Sequence, residues 1–412
     1  MTQEPILVIG GGRATASLID AYREAGGESL ITVVSSDDHP PYNRPPLSKG
    51  VLRGDVEADE VLVRGVEEYE DLLVDLRLGV AAEAIDIDRR LVSLSDGSEI
   101  GYGKLVIASG AEPRTLPVPG ADLPAVHTFR TLADAVAVRD AAADARKAVV
   151  VGGSFIGSEV AASLRMLGLD VSIIEVADRL VPALGSEELS AQVADLYRDQ
   201  GVELALGEKV AEFKGNGQML VGARCASGLE VEAFLAVVGV GVTPNVDFLA
   251  GSGVDVDDGV VVDDRFRSSI PDVYAIGDVA SFVDTVAGRR RRVEHWSSAN
   301  SQGACLGRNL AGGRTAFAEV SVFFTKLFDL QLQVIGDPGG GVDEVVIRGS
   351  IPERKVLGFS LRDERLVAAI VVGQGEDTVA ELKELVREQP KLKDRSRLAH
   401  ENVRPVALFD TP

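Results

Sequence analysis

The chain has 412 residues, 42 basic and 64 acidic, for a net charge of −22. That length exceeds what one core usually organises and implies two or three domains, while so negative a balance argues against nucleic acid or an anionic membrane surface as the main partner. No apolar run is long enough to span a bilayer, and two distant cysteines, Cys225 and Cys305, without a CxxC pair argue against a disulfide scaffold or a dithiol centre.

Residues 5–9 (PILVI) read as a short buried strand running into the turn Gly10-Gly11-Gly12-Arg13-Ala14-Thr15, and residues 17–23 as an amphipathic helix. A strand over residues 31–34 ends near Asp37, about where a carboxylate meets an adenosine ribose. Prolines 40, 41, 45 and 46 predict a rigid extended path through Lys49. A strand over 105–107 ends in Ala108-Ser109-Gly110, small residues that let backbone pass close to a ligand.

The opening pattern then repeats. Residues 148–151 lead into Gly152-Gly153-Ser154-Phe155-Ile156-Gly157, a helix follows over 159–164, and a strand over 170–174 ends at Glu175. Glycines let each turn approach a pyrophosphate, and the helix N-terminus offers N–H groups and partial positive charge to its oxygens. A carboxylate at Glu175 accepts bonds from a 2′-hydroxyl and repels a 2′-phosphate, so this turn is expected to prefer NADH over NADPH. The second unit closes on a strand and turn over 236–241, ending in Gly241. A further strand reaches Gly277-Asp278, followed by Glu294-His295-Trp296; His295 is given no catalytic role. From about residue 326 short strand-like runs and a helix over 377–389 replace the pattern.

Two dinucleotide units, Arg44-Pro45-Pro46-Leu47-Ser48-Lys49, Ala108-Ser109-Gly110, Gly277-Asp278 and Glu294-His295-Trp296 together resemble the FAD-dependent, NADH-using ferredoxin reductases of bacterial oxygenase systems, the putidaredoxin reductase and rubredoxin reductase type. The resemblance covers residues 1 to about 320 well and the rest more loosely. It implies an α/β chain with two Rossmann-like, glutathione-reductase-like domains and a C-terminal α+β domain. The expected boundaries are 1–113 with 245–325 for FAD, 114–244 for NADH and 326–412 for the C-terminal domain. Gly10, Gly12, Ala14 and Asp37 would hold the ADP half of FAD; Arg44, Lys49, Ala82 and Arg130 would line the flavin and its phosphates, beside Ala108, Gly110 and Gly277. Asp278 would bind the ribityl chain and Trp296 would lie against the flavin ring. Gly153, Ser154, Ile156 and Gly157 would surround the NADH pyrophosphate, with Glu175 and Gly241 nearby. Lys49 and Glu159 would form the reacting pair, Glu159 near the nicotinamide and Lys49 beside the flavin. No metal site is expected.

The implied chemistry is electron transfer from NADH through FAD to a small iron–sulfur protein of the ferredoxin type. An NADH oxidase or peroxide reductase, or a flavoprotein that only responds to NADH, are the alternatives; the first commonly needs a cysteine beside the flavin, and none precedes Cys225. The thiol usage and an N-terminus, Met1 to Glu4, without basic residues point to the cytoplasm, and the oligomeric state is open.

Several positions depart from the pattern. Thr15 replaces a third glycine and Ser154 a second. Arg13 is a cation beside the first phosphate site, either touching phosphate or solvated. Phe323-Phe324-Thr325-Lys326 stands where many members carry aromatic-Ser-Asp, which bears on partner choice. Arg289-Arg290-Arg291-Arg292 is either a solvated hairpin tip or a run that steers an acidic ferredoxin.

Overall fold

Ile6–Ile9 is apolar throughout and buried on both faces, as a strand must be inside a parallel sheet. A computed structural model describes residues 4–339, 341–400 and 402–410. Residues 1–3, on which part of the N-terminal expectation rests, lie outside the described residues, as do 340, 401 and 411–412 of the expected C-terminal domain. The described helices longer than one turn are α1 (Arg13–Glu24), α2 (Val66–Asp71), α3 (Leu132–Asp144), α4 (Phe155–Met166), α5 (Glu187–Asp199), α6 (Trp296–Leu310) and α7 (Glu376–Glu388).

The chain forms two compact units: Met1–Arg44, Ala58–Glu112 and Val242–Glu319 make the first, and Pro45–Glu57, Pro113–Gly241 and Val320–Pro412 the second. In the first unit a five-stranded parallel sheet runs in the order 273–275, 104–107, 6–9, 31–34, 74–77. Ile9 pairs with Val34 on one side and Ile107 on the other, so Gly10, Ser35 and Ala108 leave the sheet at one end. That is where an open α/β sheet holds its ligand. Helices α1 and α6 run parallel and almost backbone to backbone: a Cβ on Gly303 would stand 2.1 Å from the Ala14 carbonyl oxygen.

The second unit repeats the plan. Its parallel sheet has the order 203–206, 170–175, 147–151, 235–238, 126–128, with Val151 opposite Ile174 and Val238. A second sheet in this unit, antiparallel throughout, takes the order 322–327, 330–336, 365–372, 355–362, 344–350 and carries α7, giving the expected α+β C-terminal part.

Three points differ from the expected layout. Residues 45–57 group with the second unit because Ser163 Oγ–H donates to the Ser48 carbonyl at 2.6 Å, holding the segment on α4. The C-terminal sheet groups there as well, with Phe323 4.2 Å from Phe155 between ring centres and the Ile351 N–H bound to Gln192. The extended path expected through Lys49 ends at Pro46: Leu47–Val51 turns into one π-helical turn, its Val51 N–H reaching the Pro46 carbonyl at 3.1 Å. Proline at a helix start loses only a donor that the helix does not need there.

Candidate functional site

The two glycine-rich turns superpose bond for bond in their logic. The Gly10 N–H donates to the Val34 carbonyl at 2.7 Å and the Ala108 N–H to Ile9 at 2.8 Å; the Gly152 N–H donates to Ile174 and the Gly239 N–H to Val151, both at 2.8 Å. Gly10 has φ +111° and Gly152 +107°, and a Cβ on either would strike the neighbouring carbonyl, Ala108 or Gly239, at 2.2 and 2.3 Å. Only glycine serves at both places. Helices α1, α4 and α6 begin at Gly12, Ser154 and His295 without a side-chain cap, whereas Thr131 and Ser186 cap α3 and α5. Uncapped first-turn N–H groups suit an anion.

The equivalence places Ser35, not Asp37, where Glu175 stands in the second unit. Asp37 lies two residues on, and its carboxylate accepts from Tyr42 Oη–H at 2.7 Å and the His39 N–H at 3.0 Å, closing its own loop. Glu175 is buried and accepts from the Gly153 N–H and, at 2.7 Å, from the Ala177 N–H, so the carboxylate sits directly beneath the second turn. Thr15 occupies the position of Gly157. A Cβ at Gly157 would lie 1.9 Å from the Gly152 carbonyl oxygen; in the first turn the Thr15 hydroxyl instead donates to the Gly10 carbonyl at 2.6 Å.

Among the expected residues of the first unit, Asp278 lies in the short turn Gly277–Val279, anchored by the Gly277 N–H on Gln302 Oε1 at 2.8 Å. Trp296 opens α6 and donates its indole N–H to Asn43 at 3.0 Å. The Gly110 carbonyl accepts the Asn245 N–H, and the Arg44 guanidinium lies 6.0 Å from the Tyr42 ring centre. Ala82 starts a strand of a separate three-stranded sheet and packs on this unit's core.

In the second unit, Ile156 is exposed on the first turn of α4 and the Gly241 carbonyl accepts the Arg114 N–H. The main-chain N–H of Arg130 donates to Asp134 at the start of α3. Glu159, 4% exposed, is the most heavily engaged of the expected residues. Lys49 Nζ pairs with Oε2 at 2.6 Å, Ser48 Oγ–H donates to the same oxygen at 2.6 Å, and Thr325 Oγ1–H donates to Oε1 at 2.7 Å. One carboxylate thus ties α4 to the proline-led turn and to strand Val322–Leu327.

Ser48, Asn43, Asn300 and Thr325 escaped the sequence reading as site residues. Asn300 could have been found, since it follows Trp296 by one helical turn on the same face. The arginine run belongs to the returning strand of a hairpin, 280–284 with 289–291. Arg291, partly buried, pairs with the buried Asp284 at 2.6 Å, Arg292 pairs with Asp258 and Glu294, and Arg290 donates to the Val262 carbonyl at 2.7 Å. Two of the four charges, Arg291 and Arg292, are thus paired with carboxylates inside the first unit, while Arg289 and Arg290 are exposed.

A family profile described as pyridine nucleotide-disulphide oxidoreductase matches residues 4–303, and one described as reductase C-terminal matches 322–404. The chain belongs to the pyridine nucleotide-disulphide oxidoreductase family. It is 34% identical to rhodocoxin reductase of Rhodococcus erythropolis over 93% of this chain and 90% of that protein. It is also 34% identical to the anthranilate 1,2-dioxygenase system ferredoxin–NAD(+) reductase component of Burkholderia cepacia, over 92% and 93%. Its fold matches the crystal structure of the covalent putidaredoxin reductase–putidaredoxin complex with a TM-score of 0.91 and 28% identity, covering 97% of each chain.

As a pyridine nucleotide-disulphide oxidoreductase the protein has its thiols in unreactive places. Cys225 is buried at the end of strand Met219–Cys225, and burial, helped by Glu208, pushes its thiol up. Cys305 is buried within α6 and burial pushes it up as well. A thiol held above its ordinary value is a poor nucleophile at neutral pH.

Proposed function

We propose that this protein is an NADH-dependent FAD reductase that delivers electrons to a small ferredoxin-type iron–sulfur protein serving an oxygenase. The observation that carries the reading is the pair of equivalent turns, Gly10–Val34 and Gly152–Ile174, each opening an uncapped helix at the carboxyl end of a parallel sheet. The first turn fits FAD: a Cβ at Gly12 would meet nothing within 4 Å, so the backbone there can be approached by a pyrophosphate. Gly10, Gly12 and Ala14 would hold the ADP half and Asp278 the ribityl hydroxyls, with Asp37 and Tyr42 shaping the ribose loop. Arg44, Ala82, Ala108, Gly110 and Gly277 would line the flavin in the first unit, and Trp296 would lie against the ring; Lys49 and Arg130 are residues of the second unit.

FAD, when bound, accepts a hydride from NADH and releases the electrons one at a time. Gly153, Ser154, Ile156 and Gly157 bind the NADH pyrophosphate, Glu175 reads the ribose 2′-hydroxyl, and Gly241 borders the site. Glu159 positions the nicotinamide end, its carboxylate fixed by Lys49, Ser48 and Thr325. The thiols take no part, which disfavours a peroxide reductase. The main partner is a protein rather than nucleic acid or a membrane surface, and the compartment is the cytoplasm. Among the described residues no helix is long and apolar enough to cross a membrane.

Chromatography of heat-released cofactor tests the first step and should yield FAD. Stopped-flow mixing with NADH should bleach the flavin, and added ferredoxin should be required for efficient cytochrome reduction. Release of FMN, or cytochrome reduction indifferent to ferredoxin, overturns the reading.

A further inference from the structure

Arg13 stands at the first position of α1, where a cation opposes the helix dipole. Its partners are on α6. The Nε–H donates to Asn300 Oδ1 at 2.7 Å, and the guanidinium carbon lies 5.1 Å from the centre of the Trp296 ring, within reach for a cation–π contact. Trp296 and Asn300 are one turn apart, so both contacts fall on one face of α6. Ser17, one turn along α1, donates its hydroxyl to the Asn300 carbonyl at 2.7 Å, and the Gly303–Ala14 approach fixes the two backbones below. The indole is held from a second direction by Asn43. Burial draws Arg13 below the ordinary arginine value, as a guanidinium drawn out of water should be.

We infer that Arg13 is a positioning residue for Trp296: with Asn43 it fixes the indole on a rigid two-helix platform and so sets the face presented to the flavin. This rests on the reading that Trp296 lies against the flavin, and goes beyond it by assigning the residue that places the ring. Its Nε–H and its planar face are committed to α6, which leaves the two Nη groups for solvent or a bound phosphate.

The chain contains one tryptophan, so selective indole excitation reports Trp296 alone. Wild type, Arg13→Leu, Arg13→Lys and Asn300→Ala are compared as full-length, FAD-loaded proteins by time-resolved indole emission and anisotropy. In Arg13→Leu the local anisotropy should decay at least about twofold faster and the flavin-quenched emission should rise at least about twofold, the factor a contact of this kind contributes to its geometry. Arg13→Lys should fall between, because it keeps the charge without the planar fork, and Asn300→Ala should shift the same way. Indole anisotropy and emission unchanged in Arg13→Leu, with FAD content retained, overturns the inference. Should that variant fail to fold or to load FAD, the lysine and Asn300 variants decide by the same comparison. Wild-type emission that is equal with FAD bound and removed overturns the placement of Trp296 against the flavin, and the anisotropy comparison still decides on Arg13.

Discussion

Lys49 and Glu159 form an ion pair of 2.6 Å in which the carboxylate is 4% and the lysine 17% exposed. Breaking one partner of such a pair leaves the other charged and poorly solvated, which costs more than removing both. Glu159→Ala should therefore lower unfolding free energy by about 3 kcal/mol, and the double variant Glu159→Leu with Lys49→Met should recover most of that loss. Urea unfolding of the FAD-loaded proteins measures both. A double variant no more stable than Glu159→Ala would place the loss in the Ser48 and Thr325 hydroxyls left without their acceptor. NADH reduction of the flavin should be slower in both variants.

On the proposed reading, nucleotide choice turns on Glu175. Glu175→Arg should shift the ratio of kcat/KM for NADPH over NADH upward by about tenfold or more, because a guanidinium pairs with a 2′-phosphate that the carboxylate repels. The structure adds a cost: the variant also loses the bonds that Glu175 accepts from Gly153 and Ala177, so NADH activity should fall in absolute terms as well. Wild type preferring NADPH would contradict this account of the second turn.

Much of this site was legible because glycine turns carry their reason in the residue type. Gly10 and Gly152 adopt backbone angles that other residues rarely reach, so the spacing of glycines after an apolar run exposes the turn directly. The parallel sheets were legible from continuous apolar runs such as 148–151, which only a doubly covered sheet explains. Side-chain partnerships across long sequence separations were not. Thr325 on Glu159, or Arg13 on Trp296, leave no periodic trace, and Asp37 looked like the ribose acid only because a strand end cannot be placed to within two residues from propensity. The same limit hid the π-helical turn after Pro46, whose i→i+5 bonding depends on packing against α4.

The arginine hairpin gives a prediction opposite to a docking patch. Arg291→Glu faces the buried Asp284 and should destabilise the first unit by about 3 kcal/mol or more. Both NADH reduction of the flavin and ferredoxin reduction should fall together, in step with the melting temperature. Arg289→Glu, on the exposed end of the run, should leave the salt dependence of ferredoxin reduction unchanged. A selective loss of ferredoxin reduction at low salt in the Arg289 variant would restore the steering role.

His295, the residue before α6, is pushed down to about 4 from 6.5, chiefly by burial, with Arg291 adding to the shift and Asp278 opposing it. A histidine whose folded value lies below its unfolded one stabilises the fold while neutral. That contribution is complete above about pH 6.5 and is lost as pH falls toward 4, because the unfolded chain then binds a proton that the folded chain refuses. The shift corresponds to at most about 3 kcal/mol, of which about 2 kcal/mol is gone at about pH 5. Unfolding free energy measured in urea at about pH 7 and about pH 5 should therefore drop less in His295→Gln than in wild type, by about 2 kcal/mol, since glutamine has no proton to gain. Equal drops in the two proteins would show that His295 is protonated in the fold at that pH, and that the acid sensitivity arises from the carboxylates instead.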